Sequence, residues 1–383
     1  MRTIWYFGLE PLEERYTYQL SEIWMPETFK LYSQEFNFVS LKPTSSEGNI
    51  SVGVVLDAVG RGKWAMEQCN LLLDQINLGA VKNNDIIFLQ DFWTPGIESV
   101  FYALDLYGIN GVKVYAMLHA QSVDEYDFTH SMKEWMRPFE LGLDKRMAGI
   151  FVGSTIHKEQ LRAAGFQAPI HVVSLPLHLQ NVLDTAPEEL IKENFVVFTS
   201  RFDKEKNPWF LMEVIKTFLK ENPDWTFIIT TSGASVRSNL EGVPAEFETL
   251  AELEPRFKIR TGLTKAEYYT LLKTAKIQFN CSLQDYVSWT ALEANAFNCT
   301  LVYPHFRSFT EINEIEFKYA AFNIRSACTA LSKATASTAT DTGLAQRADL
   351  GRRLEAFIVC TDYTGPDLNV WHEQEYITRL LTN

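Results

Sequence analysis

Two carboxylates stand eight positions apart, Asp285 and Glu293, in the stretch C-S-L-Q-D-Y-V-S-W-T-A-L-E-A-N-A-F-N-C-T-L-V-Y-P at 281–304. Residues 277–280 before it read as a buried strand. A helix opens near Ser288 and ends at Asn298, and 299–303 read as the next strand. A strand, a polar turn and a helix start leave free backbone N–H groups that can hold an anion. A carboxylate one turn into that helix would instead take ligand hydroxyls. The same pattern also fits an ordinary βαβ unit with a solvated Asp and Glu, so the rest of the chain has to decide.

A second charged set lies in S-R-F-D-K-E-K-N-P at 200–208, where Arg201, Lys204 and Lys206 follow a strand at 195–199. A guanidinium and an ammonium at such a strand end suit a diphosphate, through forked and point-charge contacts respectively. A solvated charged loop is the plain alternative. Bases are the scarce charge in this chain, 35 against 48 acids, which favours a use for three of them together. In the first half, Gly60 and Gly62 read as loosening the turn before a helix, with Arg61 and Lys63 adding positive charge there. That G-x-G lacks the third glycine of a dinucleotide fingerprint. Gly8, Asp91 and His119 each follow a predicted strand, and Arg15, Tyr16 and Trp24 crowd the loop after the first one. A lone histidine after a strand is often only a structural hydrogen-bonder. Its place beside Asp91 at one sheet edge favours a functional role.

The elements that must position these residues alternate. Strands are predicted at 3–7, 36–41, 50–56, 85–90, 112–118, 148–152 and 170–174, with helices at 96–106, 132–147 and 154–164 among them. Residues 175–192 break the rhythm with two prolines and no clean periodicity, which marks a domain boundary. The alternation restarts with strands at 195–199, 225–231, 257–260, 277–280 and 299–303 and helices at 208–219, 245–253 and 265–274. Such alternation demands two mostly parallel sheets with helices on both faces, and right-handed crossovers bring the strand-to-helix loops to one edge. Residues 326–342 read as a helix or a surface segment, and 351–359 and 368–381 as helices. The last carries an apolar face that the first domain would cover.

The composition excludes several classes. With 46% hydrophobic and 13% aromatic residues in 383, the chain is globular and long enough for two domains. A net charge of −13 argues against broad non-specific nucleic-acid binding. The five cysteines, Cys69, Cys281, Cys299, Cys328 and Cys360, have no metal spacing and read as reduced thiols. The opening residues do not read as a signal peptide, and no run approaches the roughly 20 apolar residues of a membrane span. The expectation is a soluble protein of the cytoplasm, that of a phage-infected host included.

With these loops in hand, the chain resembles a glycosyltransferase of the GT-B fold, most similar to the retaining family 4 type. The resemblance is strong over 195–304 and loose before 150. The family opens its second domain with G-R-x-x-x-x-K-G; here S-R-F-D-K-E-K-N puts Arg201 and Lys206 on its pyrophosphate-binding pair. R-T-G-L-T-K-A-E-Y-Y resembles its strand–Gly–helix run, with Gly262 and Leu263 near the nucleotide base. Its E-x7-E element falls on Asp285 and Glu293, with Ser288, Trp289 and Thr290 at the helix start completing the donor side. I-F-V-G-S-T-I-H-K-E-Q-L resembles the close of its acceptor domain, and His119 matches a histidine often found near the transferred sugar. There are departures: Asp285 replaces a glutamate, Tyr286-Val287-Ser288 replaces G-F-G, and Phe297-Asn298-Cys299-Thr300 replaces C-G-x-P.

The resemblance implies an α/β chain of two Rossmann-like domains facing across a cleft. One is an acceptor-side domain at 1–176, with the helix near 363–383 docking back on it. The other is a nucleotide-sugar-binding domain at 190–360. It implies retaining transfer of a hexose or pentose from a UDP-sugar or another nucleoside-diphosphate sugar to an acceptor hydroxyl, without a metal or other cofactor. Arg201 and Lys206 would meet the leaving charge, Asp285 would orient the donor sugar, Glu293 would hold the ribose, and His119 would stand at the reacting centre. Gly8, Arg15, Arg61, Lys63 and Asp91 would line the acceptor side. A glycan, a lipid-linked sugar or, for a phage-type enzyme, a hydroxymethylated DNA base would serve as acceptor. An inactive binding or scaffold module is the reading of a different class.

Overall fold

The computed structural model describes residues 1–10, 16–30, 36–44, 58–119, 121–173, 177–186, 190–231, 233, 235–286, 288–312 and 315–337. Arg15, Val287, the strand expected at 50–56, the segment 338–342 and the helices expected at 351–359 and 368–381 lie outside the described residues. So does the docking expected of 363–383.

Short runs of Ile, Val, Phe and Tyr make central strands that are buried on both faces, the signature of parallel sheets covered by helices, while the edge strands stay partly exposed. The first sheet holds β1 (Arg2–Phe7), β2 (Phe36–Ser40), β3 (Ile86–Leu89), β4 (Lys113–Met117), β5 (Gly149–Val152) and β6 (Ile170–Val172). All its pairings are parallel, in the order β2-β1-β3-β4-β5-β6. The second holds β7 (Glu193–Phe198), β8 (Thr226–Thr231), β9 (Phe257–Thr261), β10 (Ala275–Phe279), β11 (Thr300–Pro304) and β12 (Phe317–Tyr319). Its order, β12-β11-β10-β7-β8-β9, is again parallel throughout. Strand order reverses between β1 and β3 in one sheet and between β7 and β10 in the other. Ligands of open α/β sheets bind outside the strand ends at these two switch points. The loops there carry Glu10 and Asp91 in the first sheet, and Arg201, Lys206 and Asp285 in the second.

Each sheet has its own core. Phe198, Phe202, Phe218, Phe227 and Phe279 fill one and Phe7, Ile87, Leu89, Phe92 and Ile150 the other, all nearly solvent-free. Full burial of such a side chain contributes about 2–3 kcal/mol before entropy is counted. Both sheets lie in one compact unit, Met1–Leu350. No helix among the described residues is long and apolar enough to cross a membrane.

Three local expectations change. Gly60 and Gly62 sit inside the helix Ala58–Asn77, not in a turn before it. The buried stripe Arg61, Trp64, Ala65, Gln68 and Leu72 recurs at helical spacing and outweighs the roughly 1 kcal/mol that each glycine costs. The segment read as an aperiodic boundary contains a short helix, Leu179–Thr185. Residues 324–335 are helical, and the three-residue β12 before them was not foreseen.

Candidate functional site

A cavity of about 910 Å³ opens between the two switch points and is lined from both halves of the chain. Its second-half wall begins after β7. Phe202, fully buried, anchors the loop; Lys204 N–H donates to the Asn239 side chain (2.9 Å), and Asn239 N–H donates back to Asp203 (3.0 Å). On this pinned loop the Arg201 guanidinium lies 3.0 Å from Asp203 and 2.9 Å from Glu205. The Lys206 ammonium lies 3.2 Å from Asp285 and donates to the Gln284 carbonyl (3.0 Å). Asn207 then turns the chain with φ +54°, and Pro208 opens the helix Pro208–Glu221. That is where the resembled pattern has its second glycine. Asparagine is among the few residues that enter the left-handed region cheaply.

Ser288 caps the helix Trp289–Ala296, its hydroxyl accepting from Ala291 N–H. Trp289 stacks on Trp24 of the first half at 5.3 Å. Glu293, almost solvent-free, accepts from the Tyr268 hydroxyl (2.8 Å) and the Tyr269 hydroxyl (3.0 Å), with Lys265 at 3.3 Å. Burial and then the Glu293 charge hold both phenols well above their ordinary pKa, so they remain hydrogen-bond donors. Asn298 closes the helix with φ +56°, again at a glycine position of the resembled pattern.

On the first-half wall the buried Arg61 guanidinium is bound by Glu10 (2.7 Å), Asp91 (3.0 Å) and the Trp93 carbonyl (3.2 Å). A desolvated guanidinium has to be paired, and this one is committed to its own carboxylates instead of an external anion. His119 sits beside it with Nε2 2.8 Å from the Gln90 carbonyl. Burial lowers its pKa, Asp91 and the carbonyl partly opposing, so the ring is neutral at neutral pH.

The turn after Asp285 reaches across the cavity. Tyr286 stacks flat on His157 at a centroid distance of 3.7 Å and an interplanar angle of 14°. Its hydroxyl meets Asp124, Gln121 and Gln160, the last at 2.7 Å. The neighbouring turn does the same. Arg307, left-handed at φ +49°, grips the solvent-free Asp124 at 2.9 and 3.1 Å. Glu311 accepts from Thr155 N–H and Ile156 N–H, both at 2.7 Å, at the start of the helix Thr155–Ala163. Ser308 ties the two turns together through the Asp285 carbonyl.

The cavity thus brings together Arg201, Lys206, Leu263, Asp285, Ser288, Trp289, Thr290 and Glu293 on one wall and Arg61, Asp91 and His119 on the other. Three expected residues do not line it. The Gly8 carbonyl is taken by Trp64 and Gln68, and its α-carbon backs onto Ser21. Lys63 lies on the exposed face of its helix, and Gly262 is a left-handed turn residue bonded to Gly233. Sequence reasoning missed Asp127, Asp124, Tyr286 as a bridging group, and the pair Tyr268 and Tyr269. A visible signal was D-E-Y-D-F at 124–128, three acids within four positions in the loop after β4. Among the described residues no group of three or more His, Cys, Asp or Glu could hold a metal ion.

Two parallel six-stranded sheets with interleaved helices, joined by this cavity, form the GT-B glycosyltransferase fold. No family model matches the sequence, and no curated protein sequence does. Among solved structures the chain is similar to sucrose-phosphate synthase from Thermosynechococcus elongatus, with TM-score 0.64, 14% identity and all of both chains covered. It is also similar to the pneumococcal O-GlcNAc transferase GtfA in complex with UDP and GlcNAc, with TM-score 0.55, 14% identity and 76% of this chain covered. TarM aligns with TM-score 0.53 at 15% identity over 82% of this chain. The chain spans 59% of GtfA and 58% of TarM.

Proposed function

We propose that this cavity transfers a sugar from a nucleoside-diphosphate sugar to an acceptor hydroxyl with retention at the anomeric carbon. One observation carries the reading. Arg201, Lys206 and the N-terminus of the helix Trp289–Ala296 meet at the switch point of the second sheet, opposite a neutral His119. Breaking a sugar–phosphate bond builds negative charge on the departing diphosphate, and fixed cations and helix N–H groups are most effective against charge that develops in the transition state. The donor diphosphate exchanges places with Asp203, Glu205 and Asp285 as partner of the two cations, so no metal is required. Glu293, fixed by two phenols, takes the ribose hydroxyls with its remaining lone pairs. Asp285, once released from Lys206, orients hydroxyls of the donor sugar. The likeness of fold to the enzymes above, and the UDP in the GtfA structure, support the same assignment.

A screen of UDP-, GDP-, ADP- and TDP-sugars for hydrolysis and for binding by calorimetry tests it. At least one should bind and be slowly hydrolysed, and Arg201→Ala should lose about 100- to 1,000-fold in that rate while keeping the circular dichroism spectrum of the parent. Binding of none would sink the enzyme reading in favour of a scaffold module.

A further inference from the structure

Beyond the donor machinery, the first-half wall carries a carboxylate with no assigned task. Asp127 starts the short 3-10 helix Phe128–Met132 and is only 9% exposed. Its Oδ1 accepts from both the backbone N–H (2.8 Å) and the hydroxyl (2.7 Å) of Thr129, which fixes the rotamer. Its Oδ2 has no partner among the described residues, and the side chain lines the cavity. Thr129 thus occupies one carboxylate oxygen and leaves the other able to accept from a ligand, and burial of the side chain as a whole pushes this carboxyl up to about 6.

Next to it are large aromatic side chains open to solvent where a folded chain would normally cover them. Phe128 is 49% and Trp135 54% exposed, and both line the cavity. Trp93 braces Trp135 edge-on at 5.5 Å, and Trp93 is itself held by Phe139 at 4.9 Å. Exposed aromatic side chains, one of them braced by neighbouring rings, on the wall that carries a polar anchor mark a binding surface.

We propose that Asp127 Oδ2, Phe128 and Trp135 form an acceptor subsite for a sugar ring, the carboxylate taking ring hydroxyls and the aromatic faces the ring's C–H face. The subsite rests on the glycosyl-transfer reading for its purpose but not for its existence. Electrostatics choose a sugar over a DNA base. The charged groups lining this wall are Glu10, Asp91 and Asp127 against Arg61 alone, a net acidic surface that repels a phosphate backbone. A neutral pyranose carries no such penalty, and its hydroxyls are the donors that an acceptor-only carboxylate requires.

Saturation-transfer NMR with the methyl glycosides of glucose, galactose, mannose and N-acetylglucosamine, without donor, tests the subsite directly. At least one should show saturation strongest on the C–H protons of one ring face. Asp127→Asn keeps the amide oxygen for the Thr129 cap but replaces the free acceptor with a donor, and should weaken that signal at least fivefold with a melting midpoint at neutral pH no lower than the parent's. Trp135→Ala should weaken it as well. No saturation from any of the four, signals unchanged in both variants, or sugar transfer confined to a hydroxymethylcytosine-containing duplex would overturn the proposal. Calorimetry with the nucleotide sugars on the same wild-type protein reports on the donor reading separately, so each can fail without the other.

Discussion

Arg307→Ala is the sharpest probe of how the cleft is held together. Asp124 has no solvent exposure, and its carboxylate accepts from the Arg307 guanidinium at 2.9 Å, the Tyr126 N–H at 3.0 Å and the Tyr286 hydroxyl. Removing the guanidinium strands a buried charge, which costs about 3–5 kcal/mol. Asp124→Asn removes the charge that needs pairing and leaves Arg307, whose side chain is already 20% exposed, free to turn to water. Its cost should be smaller, about 1–3 kcal/mol, mostly lost hydrogen bonding. Once Asp124 is neutral, losing Arg307 strands nothing. The double variant should therefore fall short of the sum of the singles by about 2–3 kcal/mol in urea unfolding. Arg307→Gly should cost about 1 kcal/mol less than Arg307→Ala, because glycine has no penalty at φ +49°. Hydrogen exchange gives the local readout. Thr155 and Ile156 N–H are held by Glu311 from the same turn as Arg307, so they should lose protection first in Arg307→Ala. Additivity within about 0.5 kcal/mol, or unchanged protection at those two amides, would refute the reasoning.

Glu293→Gln should weaken nucleoside diphosphate binding about tenfold, measured by calorimetry, because Lys265 loses its ion partner and one amide end offers no acceptor to the ribose. Stability should depend on Asp127 in a definite direction. Its folded pKa of about 6 stands above the ordinary aspartate value of 3.8 because the side chain is buried, so its contribution is most favourable below the unfolded value and is lost as pH rises through about 6. The full loss is about 3 kcal/mol; urea midpoints at pH 4.5 and pH 7 should show this slope in the wild type and a shallower one in Asp127→Asn. Asn298→Gly and Asn207→Gly should each stay within about 1 kcal/mol of the parent, whereas Val at either position should cost 2 kcal/mol or more through its poor fit to a left-handed backbone.

The second half was legible because its chemistry is local. Arg201 and Lys206 lie five positions apart behind a buried strand, Asp285 and Glu293 eight apart behind another, and capping residues such as Thr264 and Ser288 mark the helix starts. The first half was less so. The helix Ala58–Asn77 overrides its two glycines by burying a stripe that only tertiary contact reveals. Arg61 read as a free cation because Glu10 and Asp91 are 51 and 30 positions away from it. The bridging contacts are further still, Tyr286 to Gln121 across 165 positions and Arg307 to Asp124 across 183. No periodicity reports a pair at that distance. Asp127 was missed for a different reason: an acid in a polar loop looks solvated until Thr129 is seen to occupy one oxygen and the side chain to line the cavity.

The positions at which the resembled pattern carries glycine have two opposite physical outcomes in this chain. At Asn207 and Asn298 the left-handed backbone is retained, so the loop carrying Lys206 and the end of the helix carrying Glu293 keep the path that glycine would allow. Tyr286 is not left-handed and does not keep that path. Its ring leaves the second-half wall and lies on His157, and burial raises its hydroxyl well above the ordinary phenol pKa, so it donates to Asp124. The position supplies a contact between the two halves. Because Ser308 bonds the carbonyl of Asp285 and Arg307 shares Asp124 with Tyr286, the turn that presents Asp285 is shaped by residues of the first half. In this chain the geometry of Asp285 is accordingly set by groups that stand behind the cavity wall and not only by those that line it.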